Sequence, residues 1–158
     1  MRFRSSAAAS LLFLGLAARI SLTAQAGPTL EPVHSFDVAS IRQATAAERA
    51  PMQWQPGGRF TSGVPLMSLV SIGYGMPLYR IEGLPDWVRT TYFLINAAAG
   101  RDVEIEERPA YYRGLLRDRF KMGVHVEPRE MDVSLKLDRA RGQVDVLIVD
   151  RIQMPTDN

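Results

Sequence analysis

Two stretches share one pattern, and the fold prediction starts from them. "SFDVASIR" (Ser35–Arg42) and "TYFLINAAAG" (Thr91–Gly100) each carry an aromatic residue near the start and then alternate apolar with polar or small residues. A period of two is typical of a strand with one buried face. In both cases a connection, a helix-like segment and a second strand follow, at 36–83 and at 93–127. The sequence therefore predicts a weak strand-helix-strand repeat whose connections differ in length.

Two segments have the spacing of amphipathic helices. In "PLMSLVSIGYG" (Pro65–Gly75) apolar or small residues recur at i, i+3, i+4, i+7 and i+8, with proline at the first helical position and glycine at the C-terminal stop. The second helix is predicted from Ala110 to Phe120. Its predicted buried stripe consists of Tyr112, Leu115, Leu116 and Phe120, and the residues predicted to face water are Arg113, Arg117 and Asp118.

The first strands are predicted from alternating hydrophobicity and from turn residues. Phe36–Ile41 forms the first one, with Phe36 and Val38 on one face and Ala39 on the other. Three further strands are predicted at "GRFTSG" (58–63), "LYRIEG" (78–83) and "TYFLINA" (91–97).

The C-terminal part of the chain predicts a hairpin and one more strand. "KMGVHVE" (121–127) and "EMDVSLKLD" (130–138) alternate equally well, and Pro128 with Arg129 is predicted to form the turn between them. "VDVLIVD" (Val144–Asp150) is almost continuously apolar, which is typical of a strand buried on both faces. The sequence thus predicts a single α+β domain, with an antiparallel or mixed sheet of about six strands and two main helices on one face.

The N-terminus has the pattern of a secretory signal. In "MRFRSSAAASLLFLGLAARISLTAQAGP" two arginines precede an apolar run, and "AQA" fits an A-x-A cleavage site. The apolar run is shorter than the ~20 residues that a membrane-spanning helix needs. We therefore interpret 1–26 as a signal peptide and expect 27–158 in the periplasm or outside the cell, without a transmembrane span. Residues 27–34 are predicted to be an extended lead-in and 151–158 a surface tail.

Charge and cysteine content exclude nucleic-acid binding and any site or crosslink that needs cysteine. The chain has 19 basic and 17 acidic residues, and since three of the basic residues lie in the predicted signal, the mature chain has a formal charge of −1. A nucleic-acid-binding domain is expected to show a basic excess or stripe, and this sequence has neither. The chain has no cysteine, which excludes disulfides and thiolate metal sites.

Five stretches together resemble a known family. They are "FDVASIR", "PGGRFTSGVPLMSLVSIGYGMPLYRIEGLPDW", "YFLINAAAG", "LLRDRFKMGVHVEPREMDVSLKL" and "VDVLIVDRIQMPTDN". They are similar to an exported, soil-associated family that is expanded in Acidobacteria and catalogued as a domain of unknown function. The resemblance implies secretion and an α+β domain, and it supplies no catalytic residue and no cofactor.

The resemblance also suggests a role and shows one departure. Some relatives are joined to a membrane metallopeptidase of the beta-lactam-sensor type, which implies a sensory or interaction role outside the cytoplasm. Typical relatives carry a further segment before the last strand, whereas here "LDRARGQ" (137–143) joins the predicted hairpin to that strand directly. By this comparison the chain is a shortened form.

His125 is the main candidate for chemistry. It lies two residues from Glu127 on a predicted strand, and the predicted hairpin places Asp132 opposite it. A histidine that a carboxylate orients can act as a general base, and residues at i and i+2 of a strand can share a metal ion. The other interpretation is that His125 lies on the outer face and pairs with an acid across the sheet. His34 is the only other histidine, which excludes a three-histidine zinc site.

Two other groups of residues have both a functional and a structural interpretation. The acidic residues of "RDVEIEERP" (101–109) are oxygen ligands that suit calcium, although their spacing matches no EF-hand and also fits a solvated loop. Aromatic residues beside connections can form a sugar- or peptide-binding surface, or can fill the core under long loops. The acidic residues are Asp102, Glu104, Glu106 and Glu107, and the aromatic ones are Trp54, Phe60, Tyr79 and Trp87.

The functional hypothesis follows from the export signal and from the absence of catalytic motifs. The sequence contains no G-x-S-x-G motif. We expect an exported, non-catalytic binding or sensory module for a protein, a peptide or an envelope glycan. One alternative is a hydrolase or metal-dependent enzyme that uses His125, Glu127 and Asp132. Another is a degenerate, shortened paralogue.

Overall fold

Seven strands and three α-helices make up the described part of this computed structural model. That part comprises residues 32–135 and 138–155, without the side chains of 131–142. The predicted signal peptide, 1–26, lies outside it. In chain order the elements are β1 (Val38–Gln43), β2 (Gln53–Gln55), β3 (Arg59–Pro65), α1 (Leu66–Tyr74), β4 (Ile81–Glu82), α2 (Asp86–Thr90), β5 (Tyr92–Ala98), α3 (Arg108–Phe120), β6 (Gly123–Leu135) and β7 (Asp138–Arg151).

The strands form two sheets, where the sequence predicted one. Sheet 1 has the order β1-β5-β3-β2 and is antiparallel throughout. Sheet 2 has the order β4-β7-β6, with β4 parallel and β6 antiparallel to β7. The predicted repeat is visible here, because its first strands, β1 and β5, pair with each other and its last strands, β4 and β6, flank β7. Each pass crosses from sheet 1 to sheet 2 through its helix, which confirms the α+β class and explains the second sheet.

One hydrophobic core joins both sheets to the helices. α1 and α3 pack against each other, and the predicted stripe of α3, from Tyr112 to Phe120, is buried as expected. The core also takes Phe93 of sheet 1, Leu69 of α1 and Leu147 of sheet 2. Burying a large apolar side chain contributes about 1.5–3 kcal/mol, so this core is the main source of stability.

Arg113 was predicted to face water, and this prediction is wrong. Only 6% of Arg113 is exposed. Its guanidinium donates hydrogen bonds to the carbonyl of Gly73 in the last turn of α1 and to the carbonyl of Pro32, the latter at 2.8 Å. The last carbonyls of a helix have no partner within the helix, so Arg113 satisfies one of them and holds the lead-in at the same time.

The start of β1 also differs from the prediction. Val38 is 66% exposed, whereas Phe36 packs against the core, so the two residues do not share a face. The N–H of Asp37 donates to the carbonyl of Ala98 at 2.9 Å, although the register pairs Ala98 with Val38. The chain therefore bends before the strand begins, and this bend turns Phe36 inward.

The predicted hairpin turn at Pro128 and Arg129 is wrong. β6 continues through both residues and pairs with β7 as far as Leu135. β6 is an edge strand, and an edge strand tolerates a proline whose missing N–H would face away from the sheet. A Pro-Arg pair also lacks the residues that favour a tight two-residue turn, such as Asn-Gly.

Two shorter predictions need correction as well. The strand predicted at 78–83 is reduced to Ile81–Glu82, because Leu78–Arg80 forms a 3-10 turn. The predicted surface tail begins inside β7, and its next residue, Ile152, packs against the core. The last predicted strand, Val144–Asp150, lies within β7 and has buried residues on both faces, as expected.

Candidate functional site

His125 lies on the outer face of sheet 2 between two carboxylates. Its Nδ1 is 3.0 Å from Oδ2 of Asp150, and its Nε2 is 3.0 Å from Oε1 of Glu127. All three side chains are about half exposed. The predicted partner Asp132 is instead paired in register with Arg141, since β6 does not turn at Pro128. The structure therefore brings His125 and Glu127 together as predicted, and Asp150 takes the place predicted for Asp132.

This geometry favours a cross-strand ion pair over a catalytic or metal site. The two carboxylates occupy opposite nitrogens of the ring, whereas ligands of a metal ion must converge on one point. Among the described residues, no group of three or more histidine, aspartate or glutamate side chains is placed to hold a metal. Hydrogen bonds from Asp150 and then from Glu127 raise the pKa of His125. They favour the imidazolium, which has no lone pair to accept a proton.

The charged cluster around His125 extends across all of sheet 2. Arg129 donates to Glu82 of β4 at 2.8 Å and to Glu127 at 3.2 Å. Val146 is directly opposite Glu127 in the register and therefore lies on the same face, yet only 1% of it is exposed. The cluster thus links all three strands of sheet 2, on a face that also buries apolar side chains. This arrangement gives the cluster a structural role.

The acidic connection uses its carboxylates internally. Asp102 accepts a hydrogen bond from the backbone N–H of Gly57 at 2.6 Å. Glu107 binds the guanidinium of Arg101 through two hydrogen bonds, of 2.7 and 2.9 Å, and this contact lowers the pKa of Glu107 to about 2. The solvated-loop interpretation of Asp102, Glu104, Glu106 and Glu107 is therefore favoured over calcium binding.

Three of the four candidate aromatic residues lie in the core or pack against it. Phe60 is fully buried, and both Trp54 and Trp87 are partly buried against the core. The indole N–H of Trp54 donates to the hydroxyl of Tyr112 at 2.7 Å. Tyr79 is 68% exposed. The structure therefore gathers no exposed aromatic surface from Trp54, Phe60, Tyr79 and Trp87.

The open edge of β1 carries backbone groups that are available for binding. β1 is the outermost strand of sheet 1, so only one of its edges is paired. The N–H of Ala44 donates to the carbonyl of Tyr92 at 2.9 Å, in the register of the β1–β5 pairing. In an antiparallel pair, residues that bond to the partner alternate with residues that do not. The positions that direct N–H and C=O to the open edge are therefore Ala39, Ile41 and Gln43.

These outward groups have almost no partners within the described part of the chain. The one hydrogen bond there is weak, from the Arg42 side chain to the carbonyl of Gln43 at 3.3 Å. Edge strands are commonly protected by proline, lysine or a bulge. β1, with the sequence "VASIRQ", contains neither proline nor lysine and pairs with β5 without a register shift. Its one charged residue is Arg42, which is paired with Glu48.

A trough runs along this edge. Its two parts have volumes of about 480 and 430 Å³ and meet at Pro155. The opposite wall is the C-terminal end of α3 together with the segment after β7, which is anchored by a 2.8 Å hydrogen bond from the N–H of Gln153 to the carbonyl of Phe120. The other lining residues are Ala39, Ser40, Ile41, Arg42, Gln43, Phe93, Asp118, Arg119, Lys121 and Met154. At about 3.3 Å per residue, the six residues of β1 offer an edge roughly 20 Å long.

A second, shallower depression lies on the outer face of sheet 1. It has a volume of about 310 Å³, and small or polar side chains such as Thr61, Asn96 and Ala98 line it. Val38 and Arg59 also border it. Its backbone groups belong to paired strands, so it offers only side chains for recognition.

Sequence reasoning missed the β1 edge as a site. The alternation in "FDVASIR" identified a strand, but strand order depends on pairing with β5, some fifty residues away. The one local signal was the absence of proline and lysine from the strand, which is informative only once the strand is known to lie at an edge.

Comparison with known proteins gives one family match. Residues 67–134 match the model of a family described as "Protein of unknown function (DUF3738)". This part of the chain is similar to a domain of unknown function. The match begins in α1 and ends in β6, so it includes the α3 end that lines the trough but neither β1 nor the segment after β7. No curated protein and no solved structure matches the chain.

The match confirms the predicted resemblance in its coarse form, a domain of unknown function. The acidobacterial affiliation and the export of the protein stay predictions. Within the described residues, none of the helices combines the length and the apolar character needed to cross a bilayer.

Proposed function

We propose that the protein is an exported, non-catalytic binding module that takes up an extended peptide segment as an additional strand beside β1. The observation that supports this proposal is the row of outward N–H and C=O groups at Ala39, Ile41 and Gln43, which face a trough. In strand addition, main-chain hydrogen bonds supply affinity and pockets for alternate side chains supply specificity. Export rests on the N-terminal sequence pattern.

A peptide fits this edge better than a glycan does. Outward groups on a strand recur every two residues, about 6.6 Å apart, and an extended peptide presents complementary groups with the same period. The hydroxyl groups of a sugar chain have no such repeat. We therefore narrow the expected partners from a protein, peptide or envelope glycan to an extended peptide or a protein segment.

The two alternative hypotheses have less support. The enzyme hypothesis requires Asp132 opposite His125, whereas the register pairs His125 with Ile148 and Asp132 with Arg141. A degenerate chain is expected to lose cooperative packing, whereas one core joins both sheets and the helices.

Selection of peptides from a phage-displayed library of random dodecapeptides tests the proposal. The purified protein is the target, and the enriched peptides are then measured against Gln43→Pro, which removes one outward N–H. One backbone hydrogen bond contributes about 1 kcal/mol, so we expect binding to weaken roughly fivefold or more. Gln43→Ala retains the N–H and is expected to bind with an affinity closer to that of the wild type.

Amide chemical shifts locate the bound peptide. We expect the largest changes at Ala39, Ile41 and Gln43. The proposal is wrong if no peptide is enriched, if Gln43→Pro binds as tightly as the wild type, or if the shifts change mainly around Thr61 and Asn96 in the second depression.

A further inference from the structure

The cations along the trough differ in whether an acid already pairs with them. Arg42 is held by Glu48 through both terminal nitrogens of its guanidinium. On the opposite wall, Asp118 accepts hydrogen bonds from Arg117 and from Ser35, each at 2.8 Å. These two ion pairs are formally neutral, so they contribute no net charge to the trough.

Arg119 and Lys121 supply the remaining charge. Arg119 is exposed and, among the described residues, has neither a hydrogen bond nor an ion pair. Lys121 donates to the backbone carbonyl of Asp118 at 2.8 Å, a contact with the C-terminal end of α3, and it forms no ion pair within the described residues. Among the described residues that line it, the trough therefore carries a formal excess of two positive charges, although the predicted mature chain as a whole is slightly acidic.

We infer that the segment bound beside β1 is acidic and that Arg119 pairs with one of its carboxylates. This inference rests on the proposed strand addition. A guanidinium offers two parallel N–H donors that match the two oxygens of a carboxylate. Lys121 adds a second positive charge on the same wall, so acidic residues at alternate positions of the segment both find a counter-charge.

A second copy of this chain is the less favourable occupant. The strand it would contribute, "VASIRQ", contains Arg42 and no acidic residue. Edge-to-edge pairing of two β1 strands would therefore bring two positively charged troughs together without a compensating acid. An acidic peptide neutralises the excess instead.

The test uses peptides enriched by display, synthesised in their acidic form and with Asn or Gln in place of Asp and Glu. Arg119→Gln removes the free guanidinium. Arg89→Gln is the matched control, since Arg89 is an exposed arginine on α2 that does not line the trough. We expect the acidic form to bind Arg119→Gln about two- to fivefold more weakly than the wild type. The amide form should bind both equally, and Arg89→Gln should change neither affinity.

The outcomes separate this inference from the proposed function. If Gln43→Pro weakens binding as expected, but neither Arg119→Gln nor the amide form of the peptide does, strand addition stands and the acidic partner is ruled out. If Gln43→Pro has no effect, the proposed function itself fails. A dimer in sedimentation that Gln43→Pro dissociates would identify β1 as an interface between copies and overturn both.

Discussion

The backbone N–H of Ala44 donates a hydrogen bond to the carbonyl of Tyr92 at 2.9 Å. This bond determines which residues of β1 are bonded to β5 and which face the trough. An independent bond on the other side of β5 runs from the N–H of Ala99 to the carbonyl of Gly58 at 3.0 Å, in the register of the β3–β5 pairing. Odd-numbered residues of β5 therefore bond to β3 and even-numbered ones to β1, which leaves the odd positions of β1 open.

Proline at two positions of β1 is expected to have different effects on stability. Gln43→Pro removes an N–H that points away from the sheet and should change the free energy of unfolding by less than about 1 kcal/mol. Ser40→Pro removes an N–H that bonds to β5 and leaves a carbonyl without its donor, at a cost of about 2–3 kcal/mol. Urea unfolding followed by tryptophan fluorescence measures both. Equal losses of stability would contradict the assignment of the Gln43 N–H to the open edge and of the Ser40 N–H to a bond with β5.

Alanine is expected to destabilise the protein at one helical glycine and to have little effect at another. In a helix this change normally stabilises by about 1 kcal/mol. At Gly114 of α3, however, a Cβ would lie 1.8 Å from the carbonyl oxygen of His34. The backbone of His34 is held in place, because its N–H donates a hydrogen bond to the carbonyl of Ala110. We expect Gly114→Ala to destabilise by roughly 1–3 kcal/mol.

Gly73→Ala is the matched control for that change. Its Cβ would lie 3.3 Å from Cβ of Tyr112, a crowding that is relieved if α1 and α3 move apart by a few tenths of an ångström. Thermal unfolding should therefore show a change near zero. If Gly114→Ala also proves neutral or stabilising, the lead-in does not pack on α3 as described.

The hydrogen bond between Trp54 and Tyr112 is expected to couple β2 to α3. Trp54→Phe and Tyr112→Phe each remove one partner, and the double variant removes both. We expect a coupling energy of about 1 kcal/mol in the double-mutant cycle, the usual contribution of such a bond. Denaturant unfolding of the four proteins measures it, and strictly additive losses would show that the bond adds nothing.

His125 is expected to stabilise the fold in a manner that depends on pH. Asp150 and Glu127 raise its pKa in the folded protein, so the folded state holds the proton more tightly than the unfolded chain. This contribution is fully present below the ordinary pKa of about 6.5 and is lost as the pH rises through the raised value.

The comparison of wild type with His125→Gln tests this dependence. The difference in free energy of unfolding should be larger at about pH 6 than at about pH 9, and the imidazole should titrate above its ordinary range by NMR. An unchanged difference would mean that the charged pair does not contribute. Zinc binding that His125→Gln abolishes would instead support the metal-dependent alternative.

Local periodicity predicted most elements correctly because it records which side of an element is buried. α1, α3, β5 and the buried part of β7 all follow from spacing. The same reasoning failed at Arg113, where the lead-in covers a face of α3 that would otherwise be exposed. It failed again at Pro128, since a proline is compatible with an edge strand and only strand order shows where the edge is.

For the candidate site, too, some features follow from the sequence and others only from the tertiary structure. Sequence alone determined the α+β class, the two helices, the strand at "FDVASIR" and the exclusion of thiolate and three-histidine sites, because these depend on residue types and on short-range spacing. Tertiary structure decided that β1 lies at an edge, which of its N–H groups face outward, and that Arg119 stands opposite them. Those relationships join residues about fifty to eighty positions apart through pairing and packing, and no local pattern in the chain encodes them.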